Sequence, residues 1–282
     1  MSKQIVLITG CSRGGIGYAM SDKFLKEGHT VIATSLEIES LESLAEVYDR
    51  CERELIDIND EESISATVEK VINKFGRIDI LINNAGLPAV GALLDIDLET
   101  AQRCVNTNVF GTLKVSRIVG LHMAKRGKGK IVNIGSVTGY ASTPWAGIYA
   151  LSKAAMHSMS DTLRMELKPF GIQVVIVAPG ATKSNLATAG AKLVHVPEGN
   201  SLYISVSKYI IGRASASHAP GSTSADEFAA YAVKKILEPV SPRYVTFGQS
   251  SRLFFVMYYL PVFIRDFILS KTFGVGMVRN QN

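Results

Sequence analysis

Short runs rich in β-branched residues recur along the chain, and most are apolar throughout rather than at alternate positions. They are "IVLIT" (5–9), "TVIATS" (30–35), "RELIDI" (53–58), "IDILINNAG" (78–86), "GKIVNIGS" (129–136) and "IQVVIVAPG" (172–180). A strand that is apolar on both sides must be covered on both, as happens in a parallel sheet flanked by helices. Longer stretches of helical spacing lie between the runs. One covers about 16–27 and is ended by Gly28, a charged one covers about 38–49, and another closes near Phe75 at Gly76. Repeated β-α-β units require right-handed crossovers, so the expected architecture is a single doubly wound parallel α/β sheet with helices on both faces. Residues 1–250 suit one such domain, and 47% apolar residues supply its core.

Two regions break the rhythm. Residues 181–222 are rich in Gly, Ser and Ala and lack a strong period. They follow the carboxyl end of a strand, where such sheets bind ligands, so a substrate lid and an ordinary mobile insertion are both open readings. Residues 251–282 form an apolar, aromatic extension that turns polar at "VRNQN".

Composition narrows the partners. A net charge of +5 with dispersed basic residues argues against nucleic acid and suits an anionic cofactor or an anionic membrane face. Cys11, Cys51 and Cys104 show neither C-x-x-C spacing nor a metal-ligand pattern. An odd cysteine count without a secretory signal points to a reducing compartment. "MSKQIVLITG" runs almost directly into a strand, leaving no room for a cleavable targeting peptide.

The string "ITGCSRGGIG" (8–17) parses in two ways. Gly10-Cys11-Ser12-Arg13-Gly14 is a G-x-S-x-G string, the elbow that presents a nucleophilic serine in hydrolases. Gly10 with Gly15-Ile16-Gly17 is instead a glycine-rich turn opening a helix, able to cradle a pyrophosphate. "YALSK", Tyr149 to Lys153, places a phenol and an ammonium on one helix face. A neighbouring cation moves a phenol toward the range useful for proton transfer. Ser136 ends the preceding strand, where its hydroxyl can bond a substrate carbonyl or alcohol.

In these motifs the chain resembles the short-chain dehydrogenases/reductases over roughly residues 3 to 250, with a Rossmann-like sheet. The family's T-G-x-x-x-G-x-G is matched by "TGCSRGGIG" with one residue extra, and its N-N-A-G by Asn83-Asn84-Ala85-Gly86. Asn108 in "VNTNVFG", then Ser136, Tyr149 and Lys153, then Pro179-Gly180 with Thr182 beyond, complete the order. The resemblance implies that Tyr149 is the general acid or base. Lys153 would lower its pKa and hold the cofactor ribose, Ser136 would orient the carbonyl, and Asn108 would support a water-linked proton path. It further implies a cofactor site of Gly10, Ser12, Arg13, Gly15, Ile16, Gly17, Ser35, Asp57, Ile58, Asn84, Ala85, Gly86, Tyr149, Lys153, Pro179, Gly180 and Thr182. No metal is implied. Gly10 would let the chain turn, while Gly15 and Gly17 allow close approach to the pyrophosphate.

The second strand ends with Thr34 and Ser35 where NAD enzymes of this fold carry an acid, and Glu37 comes late. Arg13 can reach a 2′-phosphate as a bidentate donor, so NADP(H) is favoured over NAD(H). Asp57 borders the adenine by resemblance and is also a candidate helix cap.

"SRLFFVMYYLPVFIRDFILSK" is interrupted by Pro261 and flanked by Arg252, Arg265 and Lys271. It reads as a segment lying at a lipid interface, with packing over the cleft or at a subunit contact, and a true span, as the alternatives. Within the family the chain resembles fungal acyl-dihydroxyacetone-phosphate reductases, which act at endoplasmic reticulum and lipid droplets; hydroxysteroid and retinol dehydrogenases share the plan. A homo-oligomer, dimer or tetramer, is implied by the same resemblance. Three functions are carried forward: a lipid carbonyl reductase, a lipid-ester hydrolase using Ser12, and a nucleotide sensor that has lost catalysis.

Overall fold

A computed structural model describes residues 3–279; the last residues of the polar "VRNQN" end lie outside them. Seven strands form one sheet: β1 (Ile5–Ile8), β2 (Thr30–Ser35), β3 (Cys51–Leu55), β4 (Ile80–Asn83), β5 (Gly129–Ile134), β6 (Ile172–Pro179) and β7 (Tyr244–Phe247). Every pairing is parallel, in the order β3-β2-β1-β4-β5-β6-β7. The doubly wound sheet expected from the apolar runs is therefore present.

Successive side chains of each strand enter two different cores. Val6, Ile8, Ile80, Ile82, Val132, Ile134, Val175 and Val177 meet α1 (Ile16–Lys26) and α9 (Ala225–Ile236) on one face. Ile5, Leu7, Leu81, Ile131, Ile172 and Val174 meet α3 (Glu61–Phe75) and α5 (Thr112–Arg126) on the other. This is why the strands had to be apolar on both sides. The helices present matching stripes: Met20, Phe24 and Leu25 on α1, and Phe228, Ala232, Val233 and Ile236 on α9.

Local readings needed adjustment. The strand placed at 53–58 is shifted to Cys51–Leu55, because the chain turns at Asp57, whose Oδ1 accepts from Asn59 N at 2.8 Å. The helix expected over 38–49 divides into a 3-10 turn (Ile38–Leu41) and α2 (Glu42–Val47), a segment with only Leu41 and Leu44 buried to anchor it. Strand β7 escaped notice: "YVTF" is four residues long and only Val245 is buried. α4 (Leu98–Val105) passes through a π turn over Asn106–Gly111 into α5, and α6 (Gly147–Leu167) runs from the cleft back along the sheet.

The region at 181–222 holds two short helices, α7 (Asn185–Lys192) and α8 (Ser207–Ala214), each too short to register a period. Pro261 divides the C-terminal extension into α10 (Ser251–Tyr259) and α11 (Val262–Thr272), as its missing N–H and fixed φ dictate. No helix among the described residues is long and apolar enough to cross a membrane. The inner sides of these helices pack on the body: Met257 and Leu269 are buried with Ala141, and Phe254 adjoins Val137 and Tyr140.

Candidate active site

Strands β1 and β4 are neighbours whose following helices leave to opposite faces, which opens a crevice at their carboxyl ends. The glycine loop after β1 forms one wall. Gly10 turns the chain at φ +70°, and the extra residue of the motif is absorbed in a turn closed by Gly15 N donating to Ser12 O at 3.0 Å. Gly14 occupies that turn's third position at φ +81°, a conformation that a type II turn requires and glycine supplies. Gly17 is fully committed to close packing: a Cβ there would fall 2.4 Å from Asn84 Nδ2 and 2.6 Å from Gly10 O. Gly15, the N-cap of α1, provides no side-chain cap, and the first turn carries no acid. Its free N–H groups suit a phosphate, in contrast to α3 and α4, which Asp60 and Asp97 cap.

The opposite wall is locked to this loop. Asn84 Nδ2 donates to Thr9 O at 2.9 Å and Gly10 O at 2.7 Å, while Thr9 Oγ1 accepts from the N–H of Asn84 and of Ala85. Gly86 lies against Asn108 and Lys153. Pro179 ends β6, Gly180 N donates to Phe247 O at 2.8 Å, and buried Thr182 pairs with Thr223 across the lid base.

At the far edge of the loop Ser35 Oγ lies 3.0 Å from both Ser12 Oγ and Ser40 Oγ. Arg13 is exposed and forms no ion pair among the described residues. Ile16 packs partly against the core, and Ile58 is buried against Gly111. Asp57 is not the cap of α3; Asp60 does that work through Glu62 N. Ser12 pairs with Ser35, and no histidine among the described residues hydrogen-bonds to it, so the G-x-S-x-G string lacks the base that a nucleophilic serine needs. The 181–222 region reaches this wall as well, through Asn185, whose Nδ2 donates to Arg13 O.

Ser136, Tyr149 and Lys153 meet where β5 ends. Ser136 Oγ accepts from Thr138 N at 3.1 Å and Thr138 Oγ1 at 2.9 Å, leaving its own proton for the Tyr149 phenol. Burial pushes the Tyr149 phenol up to about 12, opposed by the Ser136 hydrogen bond and, more weakly, by the Arg213 charge. The expected lowering by Lys153 is not what this geometry produces. Lys153 Nζ donates to Ile134 O at 2.8 Å and lies 5.7 Å from the centre of the Tyr149 ring, and burial holds the lysine itself at about 8. Asn108 is wholly buried and spent on the protein. Its Oδ1 accepts from Leu87 N at 2.8 Å, and its Nδ2 donates to Leu87 O at 3.0 Å and Ser152 Oγ at 2.9 Å. A water path would have to use its backbone carbonyl, within the π turn.

Two further residues belong here that the sequence did not single out for the site. His157, one turn beyond Lys153, accepts from Ser136 N at 3.4 Å and packs against Tyr140 and Tyr244. Burial and the Lys153 charge hold its imidazole down at about 4, against a smaller opposing effect of Asp161. Arg213 enters from α8, donating from Nε to Thr143 Oγ1 at 3.3 Å.

Comparison with known proteins places this geometry. The family model for short chain dehydrogenases matches residues 4–192. A short-chain dehydrogenase of Penicillium ochrochloron, ptmH, is 35% identical over 98% of this chain and 100% of its own. The NADPH-dependent 1-acyldihydroxyacetone phosphate reductase of Schizosaccharomyces pombe is 35% identical over 74% of this chain and 71% of its own. Among solved structures, a short-chain dehydrogenase from Streptomyces avermitilis superposes with a TM-score of 0.79 at 28% identity, covering 96% of this chain and 97% of that one.

The depressed pKa of His157 carries a pH signature. Below its unfolded value of 6.5, the unfolded chain takes up a proton that the folded protein refuses until about pH 4, so stability drops across that window. Between pH 7 and pH 5 this amounts to on the order of 2 kcal/mol. Urea midpoints should fall with pH over this range, and the fall should be shallower in His157→Gln.

Proposed function

The chain belongs to the short-chain dehydrogenase family, and we propose that it reduces a lipid ketone, 1-acyl-dihydroxyacetone phosphate, to 1-acylglycerol 3-phosphate with NADPH. It is an NAD(P)-dependent oxidoreductase. The observation that carries the reductive reading is the convergence of Ser136, the Tyr149 phenol and Lys153 at the end of β5, with Lys153 Nζ 5.7 Å from the centre of the Tyr149 ring.

The cofactor, when bound, supplies the hydride that the carbonyl carbon receives. Gly10, Gly15, Ile16 and Gly17 hold its phosphates at the start of α1, and Asn84, Ala85 and Gly86 bound the crevice opposite. Asp57, Ile58, Pro179, Gly180 and Thr182 border it. On substrate binding Ser136 turns its one proton from the Tyr149 oxygen to the carbonyl oxygen and orients it. Tyr149 then gives that oxygen the proton from its own hydroxyl, completing the alcohol, and recovers a proton from solvent. Lys153, charged below about pH 8, would hold the ribose hydroxyls. Exposed Arg13 beside the Ser12–Ser35–Ser40 cluster, with no acid ending β2, favours the 2′-phosphate of NADPH.

NADPH oxidation with 1-acyl-dihydroxyacetone phosphate tests the reading. Turnover should exceed that with NADH, and Tyr149→Phe should lose at least ~100-fold in kcat with NADPH binding retained. Undiminished turnover in Tyr149→Phe sinks the mechanism. Activity confined to sterols or retinoids would move the substrate.

The extension accords with a substrate that lives in lipid. Its outer side exposes Tyr259 (71%), Phe263 (73%) and Phe267 (71%), with Arg252 and Lys271 exposed nearby. We assign this side to the cytosolic surface of endoplasmic reticulum or lipid droplets, aromatics among acyl chains and cations at anionic headgroups. The protein should pellet with vesicles of mixed phosphatidylcholine and phosphatidylserine, and the double variant Phe263→Ser/Phe267→Ser should stay in the supernatant. Pelleting of the double variant would refute the assignment.

Exposed Phe110 and Leu121 near α5, with Leu151 and Met165 on α6, suit a second copy of the chain. Gel filtration should show a dimer or tetramer; a monomer at micromolar concentration refutes it.

A further inference from the structure

One cation of the cleft has no role in the chemistry above. Arg213 sits in the last turn of α8, pinned between Thr143 and the Phe273 ring, whose centre lies 5.9 Å from the guanidinium carbon. Thr143 is buried in the loop that joins Ser136 to α6, and Phe273 follows α11, so lid, catalytic loop and C-terminal segment converge on this side chain. Arg77, Arg126 and Arg164 each pair with an aspartate; among the described residues Arg213 pairs with no carboxylate. Its Nε is taken by Thr143, and its two terminal nitrogens have no hydrogen-bond partner among the described residues. A guanidinium stays charged in a protein, and Arg213 is only partly buried, so its terminal nitrogens stay open to the solvent of the cleft and to a ligand there.

The fold also accepts strain to hold this corner. Trp145 stands at φ +66°, a conformation that bulky residues avoid. Its Nε1 donates to Phe273 O at 2.8 Å, and its ring meets Tyr203 edge-on at 5.5 Å. Thr143, which accepts from Arg213 Nε, stands seven residues after Ser136 and six before Tyr149, so the guanidinium is held against the loop that carries the reacting groups, and its charge acts on the Tyr149 phenol.

We propose that Arg213 is the anion-recognition residue of the substrate site, its free terminal nitrogens receiving a phosphate or carboxylate carried close to the carbonyl that Tyr149 protonates. The inference rests on the reductase reading and deepens it. Two parallel N–H donors match two oxygens of such a group, and a ketone bearing an ammonium instead would be repelled. Thr143 holds the fork in plane, so the anion also sets which face of the carbonyl is presented.

Trp145 is the chain's single tryptophan and reports on this corner directly. With NADP+ saturating, octyl phosphate, octanoate and octanol are titrated against its fluorescence in wild type, Arg213→Gln and Arg213→Lys. The anions should bind at least about tenfold more tightly than octanol, an advantage lost in Arg213→Gln and partly kept in Arg213→Lys. Phosphate ahead of octanoate identifies a phosphate ester, and the reverse order a carboxylate; either supports the proposal. Equal affinity for octanol in the wild type, or an anion preference unchanged in Arg213→Gln, overturns it. In turnover, the ratio of kcat/KM for an anionic over a neutral ketone should fall at least about tenfold in Arg213→Gln, chiefly through KM, whereas a purely structural role lowers both alike. Failure of the reductase reading shows separately, as no NADPH oxidation with any ketone whatever the fluorescence reports.

Discussion

Helix α6 is tied to the sheet by a stripe of polar bonds, and the positions of the reacting groups follow from it. Lys153 donates to Ile134 O, His157 accepts from Ser136 N, Ser160 accepts from Asn133 Nδ2 at 2.7 Å, and Asp161 accepts from Tyr244 OH at 2.7 Å. The spacing is that of one helix face lying along the end of β5 and reaching β7. Each bond satisfies a polar group that would be expensive to bury alone, so a slip of the helix would orphan several at once. The distance from Tyr149 to Ser136 is set by this register. His157 takes part as a neutral acceptor, and burial together with the neighbouring Lys153 charge keeps its imidazole from protonation.

A second lock closes the cofactor side. Asn84 and Thr9 exchange bonds between the loops after β4 and β1, so the two walls of the crevice hold each other at fixed width. Gly17 lets helix α1 come up against that lock. The crevice walls are thus held in place by the protein's own hydrogen bonds, which reduces the ordering cost of binding a ligand between them.

The lid and the C-terminal extension form one further unit. Phe273, Val275 and Val278 pack with Trp145, Val206 and Ile210, while Tyr209 OH reaches Met277 Sδ at 3.0 Å. The inner side of the extension therefore braces α8 and Arg213, and its outer side is the exposed aromatic row. Packing against the body and an exposed aromatic side coexist on the same short helices.

Much of this was legible in one dimension because the signals are local. Strands buried on both faces must be apolar throughout, a phosphate turn needs its glycines, and Tyr149 and Lys153 share a face by helical period alone. β7 was not legible, since four half-exposed residues carry no period, and neither were α7 and α8. The electrostatics of Tyr149 could not be read from its neighbour four residues on. Burial raises the phenol, and the charge that opposes it comes from Arg213, distant in sequence and delivered by the lid. The sequence by itself thus determined the sheet, the glycine loop and the family to which the chain belongs. Only the tertiary structure decided which reacting groups are buried, which donors remain free and which cation faces the cleft, because desolvation and charge proximity depend on what long-range packing brings together.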